Sequence, residues 1–237
     1  MPRAIRIKDD AELSTFIDSV ATDIVAAHDH YRLFRRLTDA IQEFSREMNQ
    51  SSTFWSLTIE AHRECALVHL GRIFDQTKGT LSLPNLLMTI QANLRLFDEP
   101  HFRARMGDNP FVDGLASENR VPDAKELSKY IQQLGDNDKK LVEPAVRELV
   151  ILRNKKVGHR ASEVVLPLQS FKSATFGNLS WNDVERLLAL AEKLINHYCS
   201  LFRANTFSIS TIGRDDYTQV LKGVRNGLDG RGLPEST

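Results

Sequence analysis

Apolar residues recur along most of the chain at the three- and four-residue spacing of an amphipathic helix. Phe16, Val20, Ile24, Tyr31, Phe34, Leu37, Ile41 and Phe44 fall on one side of a helix expected from about Asp10 to about Met48. Ser51 or Ser52 can cap a second helix carrying Phe54, Trp55, Thr58, Ala61, Cys65, Val68 and Ile73, which ends before Lys78-Gly79. A third runs from near Ser82 to about Phe97, with Pro84 suited to its first turn. Helix is expected again from about Asp123 to Leu134 and from about Asn137 to Val157, where Pro144 kinks the element or starts its straight part. Ser180 and Asp183 stand at capping-box spacing and open a last long helix to about Ala204.

Three stretches break the helical period. Residues 98–121, DEPHFRARMGDNPFVDGLASENRV, are rich in turn formers and charge, and read as an insertion or mobile loop. SEVVLPLQSFKS, interrupted by Pro167, reads as an ordered connection, and TFSISTI at 206–212 alternates like a short strand. The tail NGLDGRGLPEST reads as frayed. The expectation is an all-α helical bundle with a long inserted loop and an extra C-terminal helix. One domain covers residues 1–205, and a partly flexible extension covers 206–237.

Composition narrows the function. With 31 basic against 31 acidic residues and a hydrophobic fraction of 41%, the chain is neither a histone-like polyanion binder nor bulk disorder. Any polyanion site must be local. MPRAIRIKDDAEL lacks the apolar run of a signal peptide, and no segment approaches the ~18 apolar residues of a membrane span, so a cytoplasmic protein without membrane contact is expected. Cys65 and Cys199 form no paired motif and read as reduced, buried thiols.

The local exception to neutrality is ILRNKKVGHRAS, residues 151–162. On a helix, Val142, Ala145, Val146, Leu149, Val150, Leu152 and Val157 share one broad apolar stripe. Arg153 projects about 20° from Val142, near the middle of that stripe. A guanidinium there needs an anion, because an uncompensated buried charge costs several kcal/mol. The anion can come from a ligand, or from Glu60, Glu64 or Asp75 on the second helix. A purely structural reading also stands: cations in a last turn favour the helix dipole, and Gly158 suits the residue after a helix end.

RNKKVGH resembles the signature of the HEPN superfamily, an Arg followed by a polar residue, commonly Asn, and then a His four to six residues further on. Here five residues separate Arg153 from His159. FWSLTIEAHRECALVHLGRIFDQ, placed ahead of LRNKKVGHR, is similar to the AbiU-type branch, associated with bacterial abortive infection against phage. The resemblance implies an all-α bundle that often dimerises, with the motifs of two protomers facing each other. Many members are metal-independent endoribonucleases, and others have lost activity and serve as binding or assembly modules. It therefore implies a toxin or anti-phage defence effector acting on RNA without a cofactor, a homodimer with a composite site, and an antitoxin or defence-system partner. The alternative is a catalytically inactive HEPN-like helical module that binds a protein or RNA. Members neutralised by a nucleotidyltransferase typically carry Tyr two residues beyond the His; Ala161 stands there instead, so that style of control is not expected.

The residue types suit the implied reaction. Cleavage of RNA by its own 2′-hydroxyl needs a base, an acid for the leaving oxygen and positive charge on the phosphorane. His159 is of the residue type that titrates near neutrality, and Arg153 offers a planar fork to phosphate oxygens. Asn154 can orient the phosphate or the His, while Lys155, Lys156 and Arg160 can track the flanking backbone. One His does not readily act as acid and base together, so two-fold pairing gives a physical reason for a composite site.

A second constellation lies on the second helix. His62, Cys65 and His69 stand at i, i+3 and i+7 with Arg72 nearby. Three such ligands invite zinc, but no fourth is evident and only neighbours one turn apart share a metal easily, so packed or hydrogen-bonded side chains are expected. His28 and His30 read as a polar patch on the first helix, and Arg72 and Asp75 as partners in local ion pairs.

Overall fold

The first helix is started by a carboxylate: Glu12 N donates to Asp9 Oδ1 at 3.0 Å, satisfying one of the amide groups a helix start leaves over. The computed structural model, which describes residues 2–135, 143–152, 179–209 and 215–230, is mainly helical, with no strand among the described residues. The elements are α1 (Asp10–Met48), α2 (Ser52–Ile73), α3 (Leu83–Ala92), α4 (Glu99–Met106), α5 (Val112–Ala116), α6 (Ala124–Gly135), α7 (Pro144–Leu152), α8 (Trp181–Arg203) and α9 (Asp216–Gly230), with short 3-10 turns at Asn49–Ser51 and Leu94–Phe97. The protein is all-α.

The chain falls into two compact units. One comprises Met1–Val25 and Val68–Phe207, the other Ala26–Leu67 and Ser208–Thr237. In the first, Leu13, Ile17, Leu70, Phe74, Leu86, Leu87, Phe97, Leu127, Leu187 and Phe202 are buried almost completely. α3 packs on α6, and α8 packs on both α4 and α7. The segment before α1 is tied to α3 by side chains: Arg3 N donates to Asn85 Oδ1 at 2.8 Å and Ile5 N to Thr89 Oγ1 at 2.9 Å. Asn85 and Thr89 are fully buried. These bonds satisfy polar groups whose burial would otherwise be unfavourable.

Residues 98–121 correct the expectation of a loop. They carry α4 and α5, with Phe102 fully buried. Two arginines make this possible. Arg105 donates to Asp10 Oδ2 at 2.6 Å, to the Leu96 carbonyl at 2.6 Å and to the Phe202 carbonyl at 3.0 Å, and it lies over the Phe202 ring at 3.9 Å. Arg120 donates to the carbonyls of Leu115 and Ser200 and lies 4.3 Å from the Phe102 ring centre. Charge density in the text therefore marks an interior clamp here, not a solvated excursion.

The expected strand at 206–212 is likewise absent over its described part, residues 206–209. Phe207 N donates to Asn196 Oδ1 at 2.7 Å and the Asn196 amide donates back to the Phe207 carbonyl at 3.3 Å. A side chain of α8 thus takes the backbone groups that a neighbouring strand would have used.

In the second unit, Leu37, Ala40, Phe44, Met48 and Leu221 form one apolar cluster, flanked by Leu33, Trp55, Ile59 and Tyr217. Residues 216–230, expected to belong to a partly flexible extension, form α9 and contribute Leu221 to this core. Ion pairs run along the same contact: Arg36 with Asp215, Arg46 with Asp229 at 2.6 Å, and Arg225 with Glu47 at 2.7 Å.

Candidate functional site

The element that leads into the basic motif is firmly placed. α7 begins at Pro144, which lacks the N–H that a first helical position would leave unused. Just before it, Glu143 N donates to the Gln133 carbonyl of α6 at 2.9 Å, and the Glu143 carboxylate meets Arg186 of α8 at 2.8 Å. Arg186 also pairs with Asp183 at 2.7 Å. Ala145, Val146, Leu149 and Leu152 are buried as α7 packs on α8, so the apolar stripe read from the sequence is the packed face. Leu152, the residue immediately before the motif, is 4% exposed. Arg153, Asn154, Lys155, Lys156, His159 and Arg160 lie outside the described residues.

The partner of α7 is fixed at its own start. Ser180 Oγ accepts from Asp183 N at 3.2 Å while Asp183 Oδ2 accepts from Ser180 N at 3.0 Å, completing the reciprocal cap expected from the sequence. The Ser180 bonds hold the Asp183 carboxyl below the usual carboxylate range. A carboxylate in the first turn also suits the helix dipole.

The histidines of α2 do not converge. His62 faces His30 of α1, with the two Nδ1 atoms 2.8 Å apart, so one ring must donate and the other accept. Burial pushes His62 below the usual imidazole value. His69 Nδ1 instead donates to Asp23 Oδ1 at 2.8 Å, and Arg72 approaches the same oxygen at 3.3 Å. Cys65 is half-buried and not in a disulfide, and Cys199 is buried. No group of three or more metal-ligating side chains assembles among the described residues. His28, expected with His30 to form a polar patch on the first helix, is 7% exposed, and half-buried His30 meets His62.

Asp23 is the partner the sequence reading missed. It stands between Val20 and Ile24 on the inner side of α1 and is 6% exposed. An acidic residue inside an apolar stripe signals a hydrogen-bond donor or cation close by; half-buried His69 supplies the first and the largely exposed Arg72 the second. Asp75 serves its own turn, accepting from Thr77 N at 2.8 Å. Glu60 pairs with Arg63 on the same helix.

Fold and motif together define an all-α protein with a local Arg-to-His basic segment following a packed helix. The family model HEPN_AbiU2, described as AbiU2, matches residues 10–221, which includes every motif residue. The chain belongs to this AbiU2 family of HEPN proteins. Neither the curated proteins nor the solved structures gave a match. No helix among the described residues is long and apolar enough to cross a membrane.

Proposed function

We propose that the chain is a HEPN-type, metal-independent endoribonuclease that serves as a toxin or anti-phage defence effector, with Arg153 and His159 at its centre. One observation carries this reading: the Arg-Asn and His of RNKKVGH follow α7 within the span matched by the AbiU2 family. In the proposed reaction, the ribose 2′-oxygen attacks the adjacent phosphorus and the bond to the 5′-oxygen breaks. The 2′-proton passes to a base, and the leaving oxygen takes a proton from an acid. The products are a 2′,3′-cyclic phosphate and a 5′-hydroxyl. Arg153 stabilises charge on the equatorial oxygens, His159 handles one of the two protons, and Asn154 orients phosphate or imidazole. A second copy of the chain supplies the other imidazole. Lys155, Lys156 and Arg160 engage flanking phosphates, giving a neutral protein a local polyanion site.

The test is to incubate purified protein with total RNA in excess EDTA and to identify the ends. Fragments ending in 2′,3′-cyclic phosphate are the expected result. RNA that stays intact across substrates overturns the enzyme reading and favours a non-cutting module that binds RNA or protein.

A further inference from the structure

Arg105 and Arg203 turn their guanidiniums onto carbonyls, carboxylates and aromatic rings of the first unit. Arg72 behaves differently. Its Nη1 lies 3.3 Å from Asp23 Oδ1, and 62% of the side chain stays exposed. The same carboxylate oxygen takes the hydrogen bond of His69 Nδ1 at 2.8 Å. Stability does not account for Arg72 here, because the His69 bond already compensates the buried carboxylate and an ion pair whose cation faces water adds little. What the contact supplies is direction. One nitrogen of a planar fork is held from beneath, so the fork has less freedom to lose when a ligand arrives.

His69 is held by the same oxygen. Donation from Nδ1 to Asp23 turns the other ring nitrogen, Nε2, away from the carboxylate, and a ring protonated on both nitrogens donates on both sides. His69 and Arg72 stand three residues apart on α2, neighbours on one side of the helix with Cβ atoms about 5–6 Å apart. The two side chains therefore present nitrogen donors side by side, while the acceptor between them is 6% exposed and engaged by both. Such a set selects an anion. A planar carboxylate has two oxygens, which the guanidinium fork alone would use; a tetrahedral phosphate keeps a further oxygen for the imidazole.

We propose that Asp23, His69 and Arg72 form a phosphate-recognition site. Arg72 takes two oxygens with its fork, the His69 Nε2–H takes a third, and Asp23 holds both donors from beneath. The phosphate is either a free one or a phosphodiester of a nucleic-acid backbone, which offer the same oxygens to these donors. The inference uses no residue of the RNKKVGH motif and does not rest on the nuclease reading.

Imidazole nitrogen NMR on the full chain tests it, with the His69 signals assigned by their loss in His69→Gln. Inorganic phosphate and a fully 2′-O-methylated oligoribonucleotide, which has no 2′-hydroxyl to attack with, are titrated separately at constant pH and ionic strength. The His69 Nε2 signal should shift and saturate. Arg72→Gln, a change at an exposed side chain, should weaken binding about tenfold or more, as expected for losing hydrogen bonds to a charged group, and Arg72→Lys should fall between. A response to the oligonucleotide assigns the phosphate to a nucleic-acid backbone; a response confined to inorganic phosphate assigns it to a free phosphate. A His69 signal that neither probe moves, or a titration that Arg72→Gln leaves unchanged, overturns the inference. Phosphate binding here without RNA cleavage keeps this site and removes the nuclease, and RNA cleavage with an unmoved His69 signal does the reverse.

Discussion

Arg225 Nε donates to Glu47 Oε1 at 2.7 Å, and its guanidinium carbon sits 4.5 Å from the centre of the Phe44 ring. Glu47 is 3% exposed, so this bond compensates a carboxylate that water scarcely reaches. The Arg225 hydrogen bond holds the Glu47 carboxyl below its usual value. A depressed carboxylate stabilises the fold above the unfolded-state pKa and loses that contribution as pH falls through the acid range.

Arg225→Ala is therefore expected to lower the melting temperature at neutral pH and to flatten the acid limb of the stability profile, with Arg225→Lys in between. Removing residues 208–237 should go further, by uncovering Phe44 and Leu37. Thermal melts of the three proteins at several pH values check this, and an unchanged acid limb in Arg225→Ala would contradict the role given to the pair.

The facing Nδ1 atoms of His30 and His62 predict a second pH dependence of the same direction. Folded His62 binds a proton less readily than unfolded His62, because burial disfavours its charged form. Between the two pKa values the unfolded chain binds more protons, so stability is full above the usual His range and is lost as pH falls below about 6.5. Denaturant unfolding on either side of that pH should show the loss in wild type and a smaller one in His62→Gln. Equal pH dependence of the two proteins is the contrary result.

At the proposed site, His159→Ala should abolish RNA cleavage or cell toxicity while the melting temperature barely moves. Cleavage assay and thermal melt are to be run on the same preparation. A folded, fully active His159→Ala protein would remove His159 from the mechanism.

If two copies share the reaction, mixing inactive Arg153→Ala with inactive His159→Ala should restore part of the activity, since a mixed pair retains one intact Arg153 and one intact His159. Restored cleavage measured against each variant alone is the expected outcome. Full wild-type activity from a chain shown to be monomeric under assay conditions would rule out a composite site.

The periodic and capped parts of the molecule were legible in the sequence. α1 occupies the span its apolar spacing predicted, Asp10–Met48, and α8 begins at the Ser180–Asp183 box. Both signals are local, set by residues within a turn or two of each other. What escaped was long-range. Residues 98–121 look solvated because of their charges, yet Arg105 finds Asp10 and Arg120 finds the Ser200 carbonyl, 95 and 80 residues away. TFSISTI has strand-like alternation, but Asn196 intercepts its backbone. In the same way the i, i+3, i+7 spacing of His62, Cys65 and His69 carries no information about His30 and Asp23 on the facing helix. The approach to the basic motif was readable as the apolar stripe of α7, whereas its anchoring through Glu143 to both α6 and α8 was not.

The clamp made by Arg105 and Arg120 bears on how ionic strength should act on nucleic-acid binding. A cation contributes to counterion release only when it can neutralise a phosphate, and these guanidiniums are engaged inward, on backbone carbonyls, carboxylates and aromatic rings. They count toward the formal charge of the sequence but are absent from the thermodynamic charge that salt can titrate. A plot of log affinity against log salt concentration for RNA should therefore have a slope shallower than its basic residues suggest, and insensitive to Arg105 and Arg120.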